Sequence, residues 1–245
     1  MAEEIVDRGV WYAVLGAALQ IPGAKVERRD FLAKEYGKYC NPRTVERIVR
    51  EGALQAGVDV RLMDKLAQEA IAFHTGVATS LSFVAGIPGG LTMLATVPAD
   101  IAQYYYHVIV IAQKLAYLYG FADMGIEENN FKSLITMLIG VMAGIEGADK
   151  AVVALFSAQV RKDVTALVLE KGFSKMVMRI ALALSYRLTG NTVFKSFWKA
   201  VPLVGGIVSG AITLGTFHPM CLKLQERLHY STQTVSTALS TMVIR

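Results

Sequence analysis

Two long stretches of this chain contain no charged side chain: residues 70–99 and residues 200–222. Uncharged runs of this length are typical of membrane proteins, because a helix that crosses a bilayer needs about 20 consecutive apolar residues. The first run is interrupted by Gly89, Gly90 and Pro98, and the second also combines proline with glycine. Since proline breaks helical hydrogen bonding, a straight spanning helix is not expected. Each run instead predicts an apolar, Gly-rich helical hairpin that is buried or half inserted in a membrane.

Helical periodicity dominates the rest of the chain, and strand signals are few. Asn41-Pro42 is a typical helix start, because asparagine caps free N–H groups and proline fits the first helical position. Gly120 is a typical helix end, since glycine readily adopts the left-handed conformation. We therefore predict an all-α fold, a helical bundle around two Gly-rich apolar hairpins, with helices over residues 3–20, 29–38, 42 onward, 59 onward, 98–119, 127–145, 148–171, 173–188, 191–199 and 231–243.

The composition indicates more apolar surface than an ordinary soluble domain carries. Hydrophobic residues make up 53% of the chain and charged residues 18%, with a mean hydropathy of +0.41. Soluble domains are typically about a quarter charged. No linker of biased composition divides the sequence, so residues 1–245 are predicted to form a single helical domain, with N-terminal amphipathic helices in residues 1–40 packed on it.

Charge and cysteine content indicate a cytoplasmic protein without a nucleic-acid partner. The formal net charge is +5, but the basic residues are scattered and no nucleic-acid-binding motif accompanies them. A weak attraction to anionic lipid headgroups is more compatible with the apolar excess. Glu3, Glu4 and Asp7 stand where a secretory signal would be basic. Cys40 and Cys221 are predicted to be free thiols in a reducing compartment.

One stripe of polar residues follows the helix predicted after Pro98. Asp100, Gln103, His107 and Lys114 fall near one face of that helix. Such a stripe either lines a polar cavity or forms a solvated edge, and Asp100 also suits a helix N-terminus, where a negative charge complements the dipole. No catalytic motif, metal-ligand spacing or phosphate-binding loop is present. We predict no catalytic residue, no metal and no cofactor.

Aromatic residues beside cations indicate where the chain could meet a headgroup layer. Trp198 lies between Lys195 and Lys199, next to the second apolar run, and these three residues are predicted to form a membrane interface. Trp11 and Tyr12 on the first helix are further candidates for interfacial anchors.

Small residues recur at four-residue spacing, a pattern that lets helix axes approach closely. In lipid it is an association motif, and in a soluble bundle it indicates close core packing. The pairs are Gly86/Gly90, Gly140/Gly144 and Gly206/Gly210.

Residues 40–230 resemble the EcsC protein family. The resemblance rests on a Gly-rich hydrophobic hairpin, a Pro-Ala-Asp, a long helix and a Tyr-Gly-aromatic stop, and on a second half that contains a Pro and a Gly-Gly pair. The residues that carry it are Gly86, Gly89, Gly90, Pro98, Ala99, Asp100, Tyr119, Gly120, Phe121, Lys199, Pro202, Gly205 and Gly206. The family's long helix often carries an arginine about ten residues after the aspartate, whereas here the first cation is Lys114. The resemblance implies a helical protein that is associated with membrane processes, and it implies no established catalytic activity.

The sequence therefore favours a membrane-associated, non-enzymatic protein of the EcsC type. It would dock at the cytoplasmic face, peripherally or partly inserted, and bind lipid or assist a membrane protein complex. The alternatives are a soluble carrier of an acyl-chain ligand, and an enzyme acting on a lipid-like substrate with Asp100 and His107 as acid–base groups. The candidate ligand- or lipid-binding residues are Gly89, Gly90, Pro98, Asp100, Gln103 and His107.

Overall fold

The computed structural model describes residues 2–79, 97, 99–124, 128–160, 174–190 and 207–243, and all regular secondary structure in these ranges is helical. The all-α prediction is thus confirmed. Residues 70–79 of the first predicted hairpin are helical, whereas residues 80–96 and 191–206 lie outside the described residues. The helices are α1 (Ala2–Leu19), α2 (Arg28–Tyr36), α3 (Pro42–Glu51), α4 (Val60–Thr79), α5 (Ala99–Leu118), α6 (Glu128–Met142), α7 (Ala148–Val160), α8 (Ser174–Gly190) and α9 (Ile207–Val243).

Local sequence signals set several helix ends as predicted. The Asn41 Oδ1 atom accepts a hydrogen bond from the Thr44 backbone N at 2.9 Å, so Asn41 caps α3. The Asp59 carboxylate accepts from the Arg61 N at 2.8 Å and caps α4 in the same way. Helix α5 ends at Leu118, and Gly120, two residues later, has a φ of +98° that most other residues avoid. These ends depend on neighbours in sequence, and for that reason they could be predicted.

Helix α5 lies at the centre of the core. Almost every side chain from Val108 to Leu118 is buried. Helices α1, α2, α4, α6 and α9 all pack against α5. In addition, α1 packs along α8 and α4 packs along α9, so helices from the first half of the chain pack against helices from the second half. Both N-terminal helices contribute buried residues to the same apolar cluster as the rest of the bundle.

Trp11 does not occupy an interfacial position, and the structure corrects that prediction. Its side chain is fully buried. The indole Nε1 donates to the Thr136 Oγ1 atom at 3.0 Å, and the Trp11 backbone N donates to the Ser185 Oγ atom at 3.1 Å. Tyr12, the next residue, is exposed. The amphipathic pattern of α1 therefore reflects packing against α5 and α8, and the indole finds its polar partner, Thr136 of α6, inside the protein.

The second apolar run is continuous helix from Ile207 onward. Helix α9 passes through Pro219 without ending and continues to Val243, so the predicted helix at 231–243 is the end of one long element. The part of the run that the structure describes, 207–222, contains no hairpin turn. Pro219 lacks the N–H that would bond the Gly215 carbonyl, a loss that an otherwise well-packed helix can tolerate.

The glycines of the pair Gly140/Gly144 have two different roles. A Cβ atom on Gly140 would lie 2.7 Å from Ile180 Cγ2 and 3.1 Å from Ala148 Cβ, so the missing side chain permits close packing of α6 against its neighbours. Gly144 has a φ of +65° and follows the end of α6. The prediction of close packing is confirmed at Gly140. Gly86, Gly90 and Gly206 lie outside the described residues.

Both cysteines are free thiols, as predicted. Cys221 is buried in the core and Cys40 is partly exposed. Across the described helices, none is long and apolar enough to cross a membrane.

Candidate functional site

A pocket of about 460 Å³ opens between α2, α4 and α5. Its walls combine aromatic, aliphatic and charged side chains. The residues that line it are Gly23, Val26, Glu27, Asp30, Phe31, Lys34, Phe73, His74, Val77, Tyr106, His107, Val110 and Lys114. Its volume lies within the usual range for small-molecule sites, about 300–1,000 Å³.

The inner wall of the pocket is the polar stripe of α5. His107 and Lys114 both line it, seven residues apart and therefore on one face of the helix. Gln103 is half-buried on the same helix but does not line the pocket. The side chain of Asp100 lies outside the described residues, as do Gly89, Gly90, Pro98, Lys195, Trp198 and Lys199.

A buried amide holds the segment that leads into α2 against α5. The Gln113 Nε2 atom donates to the carbonyl oxygens of Ala24 at 2.7 Å and Ile109 at 3.0 Å, while its Oε1 accepts from the Val26 N at 2.9 Å. Gln113 thereby fixes one wall of the pocket. Gln113 was not predicted as a site residue, although an amide between buried apolar residues of α5 is the signal that could have identified it.

The Lys114 ammonium group lies inside the pocket without a carboxylate partner among the described side chains. Its Nζ atom is 3.0 Å from the His74 Nε2 atom and lies 5.4 Å and 6.0 Å from the ring centroids of Phe31 and Phe73. Burial lowers the pKa of Lys114, Lys34 lowers it further, and only Glu35 opposes the shift. A lowered lysine pKa is typical of a desolvated cation that lacks a close anion.

The two histidines beside Lys114 are buried and neutral. Burial, together with the Lys114 charge and the neighbouring His107 ring, lowers the pKa of His74 to about 3. Burial and Lys114 lower the pKa of His107 to about 4. Their ring centroids are 6.0 Å apart. Because the Lys114 ammonium donates to His74 Nε2, the proton of neutral His74 lies on Nδ1.

The rim of the pocket is exposed and carries both signs of charge. Glu27, Asp30 and Lys34 all lie on or just before α2 and are exposed. Phe73, from α4, is 63% exposed although it is a large apolar side chain. The pocket thus has a cation at its inner wall, a mixed polar rim and an aromatic side chain at its mouth.

We expect the free energy of unfolding to fall as the pH is lowered from about 6.5 towards 4. The unfolded chain binds protons on histidines near pH 6.5, whereas folded His74 and His107 stay neutral down to about 3 and 4. Each histidine can contribute up to about 1.4 kcal/mol per pH unit in this window. Urea denaturation at several pH values measures the slope.

The double variant His74→Gln/His107→Gln identifies the source of that slope. Glutamine cannot titrate, so the difference in unfolding free energy between the variant and the native chain should change with pH between 6.5 and 4 and stay constant above pH 7.5. Parallel profiles over the whole range would show that these histidines do not titrate as described.

A second cluster of polar side chains joins α4, α5 and α9. The Asp64 carboxylate accepts hydrogen bonds from the Tyr119 hydroxyl and from the His229 Nδ1 atom, the latter at 2.9 Å. The Gln225 Nε2 atom donates to the Asp64 backbone oxygen at 3.4 Å. Burial and the Asp64 carboxylate raise the pKa of Tyr119, which keeps this phenol protonated as a donor. The cluster ties three helices together outside the pocket.

Among the described side chains, no group of three or more His, Cys, Asp or Glu residues could hold a metal ion. No family model matches the chain, and no curated protein or solved structure matches it either. The resemblance to the EcsC family rests on the sequence motifs.

Proposed function

We propose that this chain is a membrane-associated, non-enzymatic protein of the EcsC type that binds the anionic headgroup of a lipid in the pocket between α2, α4 and α5. The observation that carries the proposal is Lys114, a partly buried cation without a carboxylate partner in the described part of the chain. The headgroup would be the missing anion.

Burial has removed part of the hydration of the Lys114 ammonium group, which lowers its pKa. A buried charge is costly unless an opposite charge or several hydrogen bonds compensate it. Lys114 has one hydrogen bond, to a neutral histidine, and two aromatic rings at cation–π distance. A carboxylate or phosphate that entered the pocket would form a charge-assisted hydrogen bond with Nζ and restore the compensation.

The apolar walls suit the rest of an amphiphile. Phe31, Phe73, Val77 and Val110 line the same pocket as the cation, and they can pack against the first carbons of an alkyl chain. The pocket is open, so a longer chain can leave it past Phe73. Phe73 and Val77 belong to the first uncharged run, residues 70–99, which connects the pocket to the segment that motivated membrane association.

An enzyme with His107 as its acid–base group is the less favoured alternative. A general base works best when its pKa lies near the working pH, and burial holds the pKa of His107 at about 4. A soluble carrier of an acyl chain would use the same pocket and the same lysine. Such a carrier would differ from a membrane-associated protein because it would have no affinity for a bilayer.

Titration calorimetry with decanoate, an anionic monomer below its micellar concentration, tests the pocket without a bilayer. We expect Lys114→Met to lower decanoate affinity at least about tenfold, because hydrogen bonds to charged groups contribute about 1.5–3 kcal/mol. Lys34→Met, which removes an exposed cation of the rim, is the matched control and should change affinity less than about fivefold.

Decanol, which has the same alkyl chain as decanoate but no charge, provides the second comparison. Its affinity should be similar in the native chain and in Lys114→Met. Lys114→Met should also raise the melting temperature of the ligand-free protein, because it removes an uncompensated buried charge. Equal decanoate affinity in the native chain and the variant, or no decanoate binding at all, would contradict the proposed function.

A further inference from the structure

We infer that the outer face of α8 is the surface on which this protein docks to a bilayer of anionic lipid. The outer face consists of Lys175, Met178, Arg179, Leu182 and Tyr186. The inference rests on the membrane association in the proposed function. The outer face itself is separate from the pocket, which no residue of α8 lines.

The spacing of buried positions along α8 defines this face. Val177, Ile180, Ala181, Leu184 and Leu188 are buried, and they follow one side of the helix, where α8 packs against α1 and α6. The outer-face residues recur at intervals of three and four residues on the opposite side. The face is therefore a continuous stripe, about three turns long, that points away from the core.

The stripe mixes apolar and cationic side chains in the manner of an interfacial helix. Tyr186 is 71% exposed and Met178 is 41% exposed, while the half-buried Leu182 lies between them along the helix. Lys175 and Arg179 are exposed on the same stripe. Helices that lie in a membrane interface combine apolar side chains that enter the acyl boundary with lysine and arginine at the headgroups.

The charge of α8 has one sign. Residues Ser174–Gly190 include Lys175, Arg179 and Arg187 and no acidic residue. Arg187 donates to the Ala143 carbonyl and is held at the side of the stripe. Lys175 and Arg179 form no ion pair with any side chain that the structure describes. Their charges therefore complement an anionic surface, and each lysine or arginine near such a surface adds to its attraction.

The apolar centre of the stripe favours a bilayer over a nucleic acid. A phosphate backbone would pair with the two cations but would leave Met178, Leu182 and Tyr186 without an apolar partner. A bilayer satisfies both, because its headgroups take the cations and its acyl boundary takes the apolar side chains. The interfacial set predicted from sequence, Lys195, Trp198 and Lys199, follows α8 within ten residues along the chain.

Vesicle sedimentation of the full chain tests the inference. The vesicles are phosphatidylcholine alone and equal parts of phosphatidylcholine and phosphatidylserine. Lys175→Gln/Arg179→Gln should lower partitioning onto the anionic vesicles at least about tenfold. The matched control is Arg43→Gln/Arg61→Gln, which removes the same charge from exposed positions on α3 and α4 and should leave partitioning within about twofold.

A fluorescence measurement reports the orientation of the docked protein. In Tyr186→Trp the new indole should be quenched by brominated lipid in the anionic vesicles, whereas the indole of Tyr39→Trp, another exposed tyrosine, should not be. All substitutions are at exposed positions, so the helical circular dichroism and the melting temperature should stay native. Decanoate affinity should be unaffected by the α8 variants, since decanoate reports only the pocket.

Three results would overturn the inference. The first is an equal loss of partitioning onto the anionic vesicles in the two double variants, which would mean that the net charge of the protein, and not the outer face of α8, causes binding. The second is absence of vesicle binding by the native chain. The third is loss of a nucleic-acid or protein complex, but not of vesicle binding, in Lys175→Gln/Arg179→Gln. A failure of decanoate binding with intact vesicle binding through α8 would contradict only the proposed pocket ligand.

Discussion

Replacing Trp11 with alanine is expected to lower the free energy of unfolding by about 3–5 kcal/mol. The indole is fully buried, packs edge-on against Tyr105 with ring centroids 5.4 Å apart, and donates to Thr136. Its removal would leave a cavity between α1, α5 and α6 and break the hydrogen bond of Nε1. Urea denaturation followed by circular dichroism measures the change.

Two control variants separate this effect from a role in membrane binding. Trp11→Phe keeps most of the ring but loses the Nε1 donor, so its destabilisation should be smaller than that of the alanine variant. Tyr12→Ala removes the exposed neighbour and should change stability by no more than about 0.5 kcal/mol. Unchanged stability of Trp11→Ala, together with weaker vesicle binding, would instead restore Trp11 as an interfacial anchor.

Replacing Gly140 with leucine is expected to cost about 1–3 kcal/mol of unfolding free energy. Even a Cβ atom at this position would lie 2.7 Å from Ile180 Cγ2, a branch that cannot rotate away freely, and 3.1 Å from Ala148 Cβ. The leucine would force α6 away from α8. Thermal and urea denaturation should both detect the loss.

Gly16 provides the matched control for Gly140. It is also a glycine inside a helix, but a Cβ there would meet nothing within 4 Å. Gly16→Ala should therefore stabilise the protein by about 0.5–1 kcal/mol, since alanine loses less backbone entropy in a helix. If Gly140→Leu keeps the native melting temperature, the contact with Ile180 is looser than described. In the double variant with Ile180→Ala, Gly140→Leu should cost less unfolding free energy than it does in the native chain.

Helix ends were predictable where a few adjacent residues determine them. Asn41 and Asp59 cap the starts of α3 and α4 through hydrogen bonds to residues two or three positions later, and Gly120 follows the end of α5 with a left-handed backbone. Helix α9 was harder, because proline normally indicates a break. Packing of α9 along α4, α5 and α6 outweighs the hydrogen bond lost at Pro219, and that packing depends on residues far away in the sequence.

The pocket could be predicted only on the side that α5 provides. His107 and Lys114 share one face of one helix, so periodicity identifies them. His74, Phe31 and Phe73 come from α4 and α2, and nothing in the sequence indicates that these helices meet beside Lys114. Trp11 was assigned to an interface for a related reason: an amphipathic pattern identifies the apolar face of a helix but does not identify what covers it.

The packing of early helices against late ones has a consequence for synthesis on the ribosome. Helix α4 packs against α5 and, on a larger surface, along α9, which begins about 130 residues after the end of α4. At roughly 5–20 residues per second, the surface of α4 that packs on α9 remains uncovered for roughly 6–26 s after α4 emerges. The surface of α1 that packs on α8 likewise stays uncovered until α8 has been made. During that interval the nascent chain exposes the surface of its future core, so aggregation competes with folding until the last helix has been made.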